Sequence, residues 1–423
     1  MKIERRSFIA AASAACIAPG VFAARGARIR RAADAGEIGK TLPRWKPGEM
    51  DLHFIYTGRG ENMFYIFPDG TTLVNDVGDY WRENERALIP WLPRADLLGG
   101  ECVARYVKGV WDRPYVDYLT LSHWHSDHGG DPAYGTKKAA DGREVCGIPL
   151  FDEFIRVNRF FDHQYPNRGQ YSGGDLDTRK MIERWVEAKG IRQEPFKVGA
   201  LNQIRLMNDP AGKYRDTFSI RNICANAVCW TGEGENTCDY GEIHTRATKR
   251  EIIPNQNTLS MGFVVEYGKF RYWTGGDVSG NLTGADGKQF NFEAVVGKAL
   301  GRVSVCKTNH HAWKDAMVED FVKEVQAAAY VTAVWCPRHI QDCNMRHMSS
   351  RTLYPGERKV FVNYVPDWPK QEWPDASWWS DINEAPAGHV VVRVAEGGET
   401  FKVYIVGAAD EKMTVREVWE GVS

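Results

Sequence analysis

Three histidines and one aspartate lie within six residues of each other, in the segment Ser122–Gly130 that follows the apolar run Val116–Leu121: His123, His125, Asp127 and His128. Alternate residues of an extended segment point to the same side, so His123 and His125 can share one metal ion. Asp127 and His128 lie on the following turn and can reach a second ion. Imidazole and carboxylate ligands suit zinc, and mixed nitrogen and oxygen sites also accept iron or manganese. The segment therefore predicts a site for two divalent metal ions, zinc foremost, with Asp127 also a candidate catalytic residue.

Strands and helices must hold this cluster in place. Runs of apolar and alternating residues, separated by turn residues, predict strands at Leu52–Tyr56, Met63–Phe67, Thr71–Val74, Val116–Leu121, Ser260–Tyr267, Phe270–Trp273, Tyr330–Trp335, Gly388–Val394 and Phe401–Val406. Helical patterns are predicted at Glu83–Leu92, Asp175–Lys189 and Asp315–Ala329. Strands first, then a helix, then strands and helices again indicate layered sheets covered by helices.

A second candidate lies at the end of a neighbouring strand. Asp76, in the segment Asn75–Gly78, could accept a hydrogen bond from His123 or His125 and so orient that ring toward a metal ion. A plain capping role for Asp76 is an equally open alternative.

The pattern His-x-His-x-Asp-His after an apolar strand resembles the signature of the metallo-β-lactamase superfamily. The order of later motifs resembles one branch, the soluble relatives of the C-terminal domain of the ComEC competence proteins. Its opening motif is similar to Gly58–Asn62, and later motifs are similar to Asn257–Ser260, Tyr272–Asp277 and Lys307–His311. The resemblance implies an α/β (α+β) fold, an αββα sandwich of the metallo-β-lactamase type. It runs from about residue 50 to 406, apart from a long insert at about 150–255, and implies a single domain over residues 46–423.

The resemblance also implies roles for later residues. Asp277 would be the carboxylate that bridges the two metals, and His310 would be the later ligand, with His311 as the alternative. Lys307 would face an anionic oxygen of the substrate in the transition state; the alternative is a surface lysine.

Three more histidines compete for the remaining positions. His347 would be a terminal ligand or a substrate contact, and His339 competes for that role. The superfamily's separate third-histidine motif has no clear counterpart, and His244 is the candidate nearest to it. Ala312 and Trp313 stand where the branch has Gly-Ser, which puts the shape of the pocket floor in doubt.

The beginning of the chain predicts export. Arg5 and Arg6 followed by an apolar run to Ala24 are typical of a twin-arginine signal peptide over residues 1–24, with residues 25–45 as a leader. Because Pro19 and Gly20 interrupt the run, we expect no membrane span once the signal is removed. This predicts a periplasmic or secreted protein, with lipidation at Cys16 as an alternative. Removal of Cys16 leaves eight of the nine cysteines, an even number that fits disulfides.

The charge balance restricts the partners. The net charge is -1, and no basic stretch follows the N-terminus. Polynucleotide-binding proteins usually carry a basic surface, so stable nucleic-acid binding is not expected, whereas a small and even anionic substrate is compatible with this balance. The oligomeric state is not predicted.

The residues and the resemblance together predict an exported binuclear hydrolase. A hydroxide bridging two metals would attack a phosphodiester or a related small ester. A lactamase or lactonase is the alternative hydrolase. An iron oxidoreductase and a non-catalytic binding protein are the competing classes, and the nearly complete ligand set argues against the latter.

Overall fold

The computed structural model describes residues 27–32, 36–80, 88–166, 173–240, 256–280, 282–283, 289–383 and 387–423. The predicted signal peptide, the first half of the predicted helix Glu83–Leu92 and His244 lie outside these residues.

The strands are, in chain order, β1 (Arg28–Arg31), β2 (Met50–Phe54), β3 (Asn62–Ile66), β4 (Thr72–Val77), β5 (Tyr115–Val116), β6 (Tyr118–Leu121), β7 (Lys137–Lys138), β8 (Glu144–Val145), β9 (Arg156–Val157), β10 (Arg159–Asp162), β11 (Arg192–Pro195), β12 (Phe218–Ala225), β13 (Val228–Trp230), β14 (Thr237–Asp239), β15 (Gly262–Tyr267), β16 (Phe270–Thr274), β17 (Leu282–Thr283), β18 (Gln289–Phe290), β19 (Val305–Lys307), β20 (Ala329–Thr332), β21 (Lys359–Val362), β22 (Gly388–Val394), β23 (Thr400–Gly407) and β24 (Val415–Val422).

The helices are α1 (Gly99–Val110), α2 (Ser126–Gly129), α3 (Gly147–Asp152), α4 (Gly173–Lys189), α5 (Phe292–Leu300), α6 (Glu319–Val325), α7 (Asp342–Ser349) and α8 (Asp367–Glu372). Short 3-10 turns lie at Pro132–Tyr134, Gln256–Leu259, Asn309–Ala312 and Ser377–Asp381. Among the described helices, none is both long and apolar enough to cross a membrane.

Two large sheets contain most of these strands. The first has ten strands in the order β1-β24-β23-β22-β2-β3-β4-β6-β10-β11, and the second has eight in the order β14-β13-β12-β15-β16-β19-β20-β21. Strands β4, β6, β10 and β11 run parallel, as do β16, β19, β20 and β21. The carboxyl ends of β6, β16 and β19, where the candidate ligands follow, belong to these parallel parts.

The two sheets pack face to face, because strands of both carry apolar side chains into one shared core. Leu52 and Tyr65 of the first sheet and Phe263 and Tyr272 of the second belong to it. The outer face of the first sheet packs against α1, α3 and α4, and that of the second against α5, α6 and α7. This layer order is an αββα sandwich, as the sequence predicts.

Some predicted boundaries are wrong. The predicted helix Asp315–Ala329 is only α6, because Val318 is extended and Gln326 takes a left-handed conformation that ends the helix. The predicted strand Tyr330–Trp335 ends at Thr332. The described strands of the 150–255 segment extend both sheets, with β10 and β11 at the edge of the first and β12–β14 at the edge of the second.

Every cysteine in the described part of the chain carries a free thiol. Cys224, Cys229 and Cys238 nevertheless occupy facing register positions on β12, β13 and β14. The disulfides expected from the even cysteine count are therefore not formed in the structure.

Candidate metal centre

The end of β6 delivers the first ligands. The buried strand stops at Leu121, and His123 and His125 follow in an extended segment before α2 begins at Ser126. Nε2 of His123 lies 3.0 Å from Nδ1 of His125. The two imidazoles therefore point at a common position, as the alternation predicts.

The end of β16 delivers Asp277 to the same place. Gly276 adopts a left-handed φ of 52°, and a Cβ there would lie 2.7 Å from Cβ of Ser122. The backbone of the loop after β16 therefore contacts the side chain of the residue that follows β6. The carboxylate divides its oxygens between two positions. Its Oδ2 lies 3.7 Å from Nε2 of His123, and its Oδ1 lies 3.3 Å from Nε2 of His128.

Two donor groups result, and they share Asp277. The first group is His123, His125 and Asp277; the second group is Asp127, His128, Asp277 and His311. In the second group, Nε2 of His128 lies 3.3 Å from Oδ2 of Asp127, and Nε2 of His311 lies 3.1 Å from the same oxygen and 3.5 Å from Oδ1 of Asp277. Ligand atoms about 2.0–2.1 Å from a tetrahedral zinc ion are about 3.3 Å apart. The second group fits such an ion.

Unsatisfied polar atoms support the same fit. Nε2 of His128 and Oδ1 of Asp277 are buried and have no hydrogen-bond partner among the described residues. Buried polar atoms are nearly always hydrogen-bonded, so orphaned atoms at one position call for a ligand there. A divalent cation would satisfy both.

The turn after β19 brings in two adjacent histidines. His310 and His311 both have left-handed backbones, with φ of 44° and 51°. His311 joins the second group, while Nε2 of His310 lies 3.7 Å from Oδ2 of Asp277, the oxygen that faces His123. The sequence favours His310 over His311 as the later ligand; the structure brings both to the site, one on each side of Asp277.

The carboxylate of Asp76 orients a histidine, but not one that the sequence predicts. Its Oδ2 lies 2.9 Å from Nδ1 of His128, and its Oδ1 accepts a hydrogen bond of 2.7 Å from the backbone of Ser122. Of the expected partners, His123 is reached only through Ser122, whose Oγ lies 2.7 Å from Oδ2 of Asp76 and 3.1 Å from Nδ1 of His123.

Several contacts escape the sequence reasoning. Nδ1 of His310 lies 2.7 Å from Oδ1 of Asp315, and Nδ1 of His123 lies 3.3 Å from Oγ of Ser260. Nδ2 of Asn257 lies 3.2 Å from Nε2 of His310. The resemblance of the motif Asn257–Ser260 implies no role for it, yet both of its polar ends contact the site. Asp315 has no such signal in the sequence.

Lys307 does not face the open side of the site. Its side chain is fully buried, its Nζ lies 2.7 Å from Oε1 of Glu61, and it donates a hydrogen bond of 2.7 Å to the carbonyl of Gly276. The sequence predicts that Lys307 either faces the substrate or lies on the surface. It does neither, because β19 is buried between its neighbours β16 and β20.

His347 and His339 lie outside both donor groups. His347 is on the last turn of α7, where its Nδ1 donates to the carbonyl of Met317 at 3.0 Å. His339 stacks on His311, with ring centroids 4.9 Å apart and planes 10° apart. The histidine that joins the second donor group is therefore His311 and not His347, and His339 stacks against the ring of His311.

The electrostatics of the site favour positive charge at its centre. Burial opposes ionisation of Asp277, but the charges of His311, His128 and His310 hold its pKa well below the usual value. Burial likewise opposes protonation of His128 and His311, but Asp277 and Asp127 raise the pKa of both well above the usual value. The carboxylates thus require positive charge beside them, which protons or a cation can supply, and a bound cation replaces the protons.

No protein-family model matches the chain, and no curated protein matches it. Among solved structures it is similar to Zn²⁺-bound PqqB from Methylobacterium extorquens, with 10% identity over 80% of this chain and 98% of that chain, at a TM-score of 0.35. It is also similar to a CmlA beta-hydroxylase mutant (12% identity, 69% of this chain, TM-score 0.33), of which it spans 46%. A third similarity is to human tRNase Z, short form (9% identity, 80% and 96% of the two chains, TM-score 0.27). At these TM-scores the similarities carry no weight for function, which we infer from the site alone.

The open side of the site is aromatic. Nε1 of Trp335 lies 3.1 Å from Nε2 of His311, and Tyr80 packs edge-on against Trp335, with ring centroids 4.9 Å apart. Tyr80, Trp313 and Trp335 are half-buried. The side chain of His310 is 17% exposed, whereas those of His123 and His128 are fully buried. His310 and these three rings are thus partly exposed to solvent beside the buried ligands.

Proposed function

We propose that the protein is a binuclear metal-dependent hydrolase. The observation that carries this proposal is the division of Asp277 between two donor groups, because a carboxylate with one oxygen in each group holds two cations at a fixed separation. His123, His125 and His310 would hold one ion, and Asp127, His128 and His311 the other. Two divalent ions supply Lewis acidity to a substrate oxygen and lower the pKa of water.

The chain's own residues would prepare this chemistry. Asp76, Asp315 and Ser260 contact the Nδ1 atoms of His128, His310 and His123 and so fix which nitrogen of each ring faces the centre. Trp335 and Tyr80 would exclude water from the approach and support an apolar part of the substrate. Asp127, which the sequence marks as catalytic, would act through its place in the second group.

For the substrate we propose a phosphodiester or a related small ester, such as the ComEC-like resemblance implies. Two divalent cations would act as Lewis acids beside an anionic oxygen of such a substrate. We further propose that residues 1–24 direct export to the periplasm or the medium.

Two measurements test the function. Elemental analysis of the purified protein should find close to two zinc or similar divalent ions per chain. The same preparation should be assayed on an aryl phosphodiester, an aryl phosphomonoester, an aryl ester, a lactone and a β-lactam. We expect the highest kcat/KM on the diester and loss of that activity on chelation, with recovery when metal is restored. Fewer than two ions in folded protein would contradict the binuclear site; preferred cleavage of the lactam or lactone would contradict the substrate class alone.

A further inference from the structure

A fully buried ion pair joins the two sheets directly behind the second donor group. Glu61 lies immediately before β3 of the first sheet, and Lys307 ends β19 of the second. Neither side chain is exposed, and Nζ of Lys307 lies 2.7 Å from Oε1 of Glu61. An ion pair of this kind must recover a large cost of desolvation, and apolar replacements are often no less stable. Stability alone is therefore a poor reason for this pair.

Each half of the pair touches a segment that carries a candidate ligand. Oε2 of Glu61 lies 3.2 Å from Nδ1 of His311, and the backbone N–H of Glu61 donates to the carbonyl of Asp127 at 2.8 Å. Nζ of Lys307 donates to the carbonyl of Gly276, next to Asp277, at 2.7 Å. Three of the four members of the second group are thus held by one pair of residues. The fourth, His128, is held by Asp76.

We propose that Glu61 and Lys307 are positioning residues that set the affinity of the second group for its metal ion. Nδ1 of His311 lies between the carbonyl of Ala333, at 3.1 Å, and the carboxylate of Glu61, so that Nε2 points to the centre and Glu61 supplies the negative charge behind the ring. Lys307 balances the charge of Glu61 and anchors the loop of Asp277. The pair reaches the first group only through the shared Asp277, because His123 and His310 are oriented by Ser260 and Asp315 instead. This inference rests on the proposed two-ion site.

Charge balance and ligand orientation can be separated with two variants. Glu61→Gln leaves the Lys307 ammonium buried without a counter-charge. The double variant Glu61→Gln/Lys307→Met restores neutrality but does not restore a carboxylate behind His311. Asp51→Asn is a matched control, because Asp51 forms another buried pair, with Arg393 at 2.6 Å, away from the donor groups.

The readouts are the melting temperature of chelator-treated protein and the affinities for two Co²⁺ ions, measured by competition with a chromogenic chelator. In the single variant we expect a lower melting temperature and weaker binding of one ion. In the double variant the melting temperature should recover while the affinity for that ion stays about 10- to 100-fold below that of the original protein, the usual effect of losing a residue behind a metal ligand. The affinity for the other ion should fall less, because the first group shares only Asp277 with the second. Asp51→Asn should lower the melting temperature and change neither affinity.

The proposal would be overturned if the double variant bound both Co²⁺ ions as tightly as the original protein does. It would also be overturned if Asp51→Asn lost as much affinity as the double variant. If the double variant does not fold, Glu61→Asp keeps the charge but withdraws the carboxylate from His311. Glu61→Asp should weaken the binding of the same ion, and unchanged Co²⁺ affinities in this variant would equally overturn the inference. Failure of the unsubstituted protein to bind two ions would instead overturn the proposed function, so the two failures are distinguishable.

Discussion

Substitution of Gly78 by alanine should disable the second donor group by steric overlap alone. Gly78 follows β4, and its Cα is 2.9 Å from the position of a Cβ built on Gly60. The carbonyl of Asp127 lies against both glycines and accepts the hydrogen bond from the backbone of Glu61. Gly78 does not have a positive φ, so alanine suits its backbone conformation. The effect must therefore come from the contact with Asp127.

The size of the overlap sets the expected magnitude. A Cβ at position 78 would lie 1.9 Å from the carbonyl oxygen of Asp127 and 2.5 Å from its carbon, whereas real Cβ contacts are essentially never closer than 3.0 Å. The loop of Asp127 must therefore retreat by about 1.1 Å, the difference between 3.0 and 1.9 Å. Metal–ligand distances tolerate only about 0.2 Å. We expect the ion of the second group to bind at least about 10- to 100-fold more weakly, with a loss of about 1–3 kcal/mol in the free energy of unfolding from overpacking.

Chelator competition and thermal unfolding measure both effects. Gly109→Ala is the matched control, because its Cβ would meet only the flexible end of Met413, at 3.0 Å, on helix α1. Alanine is favoured over glycine in a helix by about 1 kcal/mol, so this control should be as stable as the original protein, with both ions bound. Two ions bound at the original affinity in Gly78→Ala would refute the reasoning, since the loop would then have room that the distances deny.

Three further predictions concern single side chains. Asp277→Ala should lose activity and the occupancy of both metals, because its two oxygens serve both groups; a normal metal content would remove Asp277 from the bridging position. His310→Ala and His311→Ala should each weaken the binding of a different ion. If the spectrum of Co²⁺-loaded protein changed in the same way in both variants, this prediction would be contradicted. Burial lowers the pKa of His389 from 6.5 to about 3. The unfolded chain binds a proton below pH 6.5 that the folded chain does not, so stability is complete above 6.5 and is lost as the pH falls toward 3. Between pH 7 and 5 this amounts to about 2 kcal/mol. Urea unfolding should show that loss in the original protein and a smaller one in His389→Gln, and equal pH dependence in both would disprove it.

The parts of the fold that follow from local patterns could be predicted from the sequence. The strand Gly388–Val394 is observed with the predicted bounds, and α4 starts two residues before the predicted helix. The ligand cluster is similarly local, because His123 and His125 need only an extended segment to converge. The sharing of Asp277 was accessible through the resemblance of the segment Tyr272–Asp277 to a known motif.

The rest depends on contacts between distant segments. Asp76 of β4 contacts His128 of α2, 52 positions later in the chain. Lys307 of the second sheet meets Glu61, which lies immediately before β3 of the first. Asp315 meets His310 through the turn between them, at a position with no pattern in the sequence. The sequence around Lys307 suggests an exposed cation beside the histidine pair. Its counter-charge is the carboxylate of Glu61, 246 positions earlier in the chain, which no local pattern indicates.

The aromatic residues of the 150–255 segment illustrate the same limit. From the sequence alone, such residues between two ligand motifs could either form an apolar wall over the metals or fill a satellite core. Phe151 and Phe160 are buried with Trp185 beneath the outer helices of the first sheet, and Phe161 lies in the core between the sheets. They therefore stabilise the sandwich, and the aromatic rings beside the site come from elsewhere in the chain, from Tyr80 and Trp335.

The turn at Asn309–Ala312 explains how two neighbouring histidines serve opposite sides of one carboxylate. His310, His311 and Ala312 all have a positive φ, a conformation that costs non-glycine residues about 1 kcal/mol or more each. Ala312 stands where the resemblance implies glycine, so this chain tolerates more strain here than the motif requires. Buried polar contacts offset that strain: Asn309 donates to Glu293 at 2.7 Å and accepts from Trp273 at 2.9 Å. In an extended segment, adjacent side chains would point to opposite faces of the sheet and could not share a site. The left-handed turn instead splays the two rings around Asp277, and the strain is what makes a second group possible without a separate third-histidine motif.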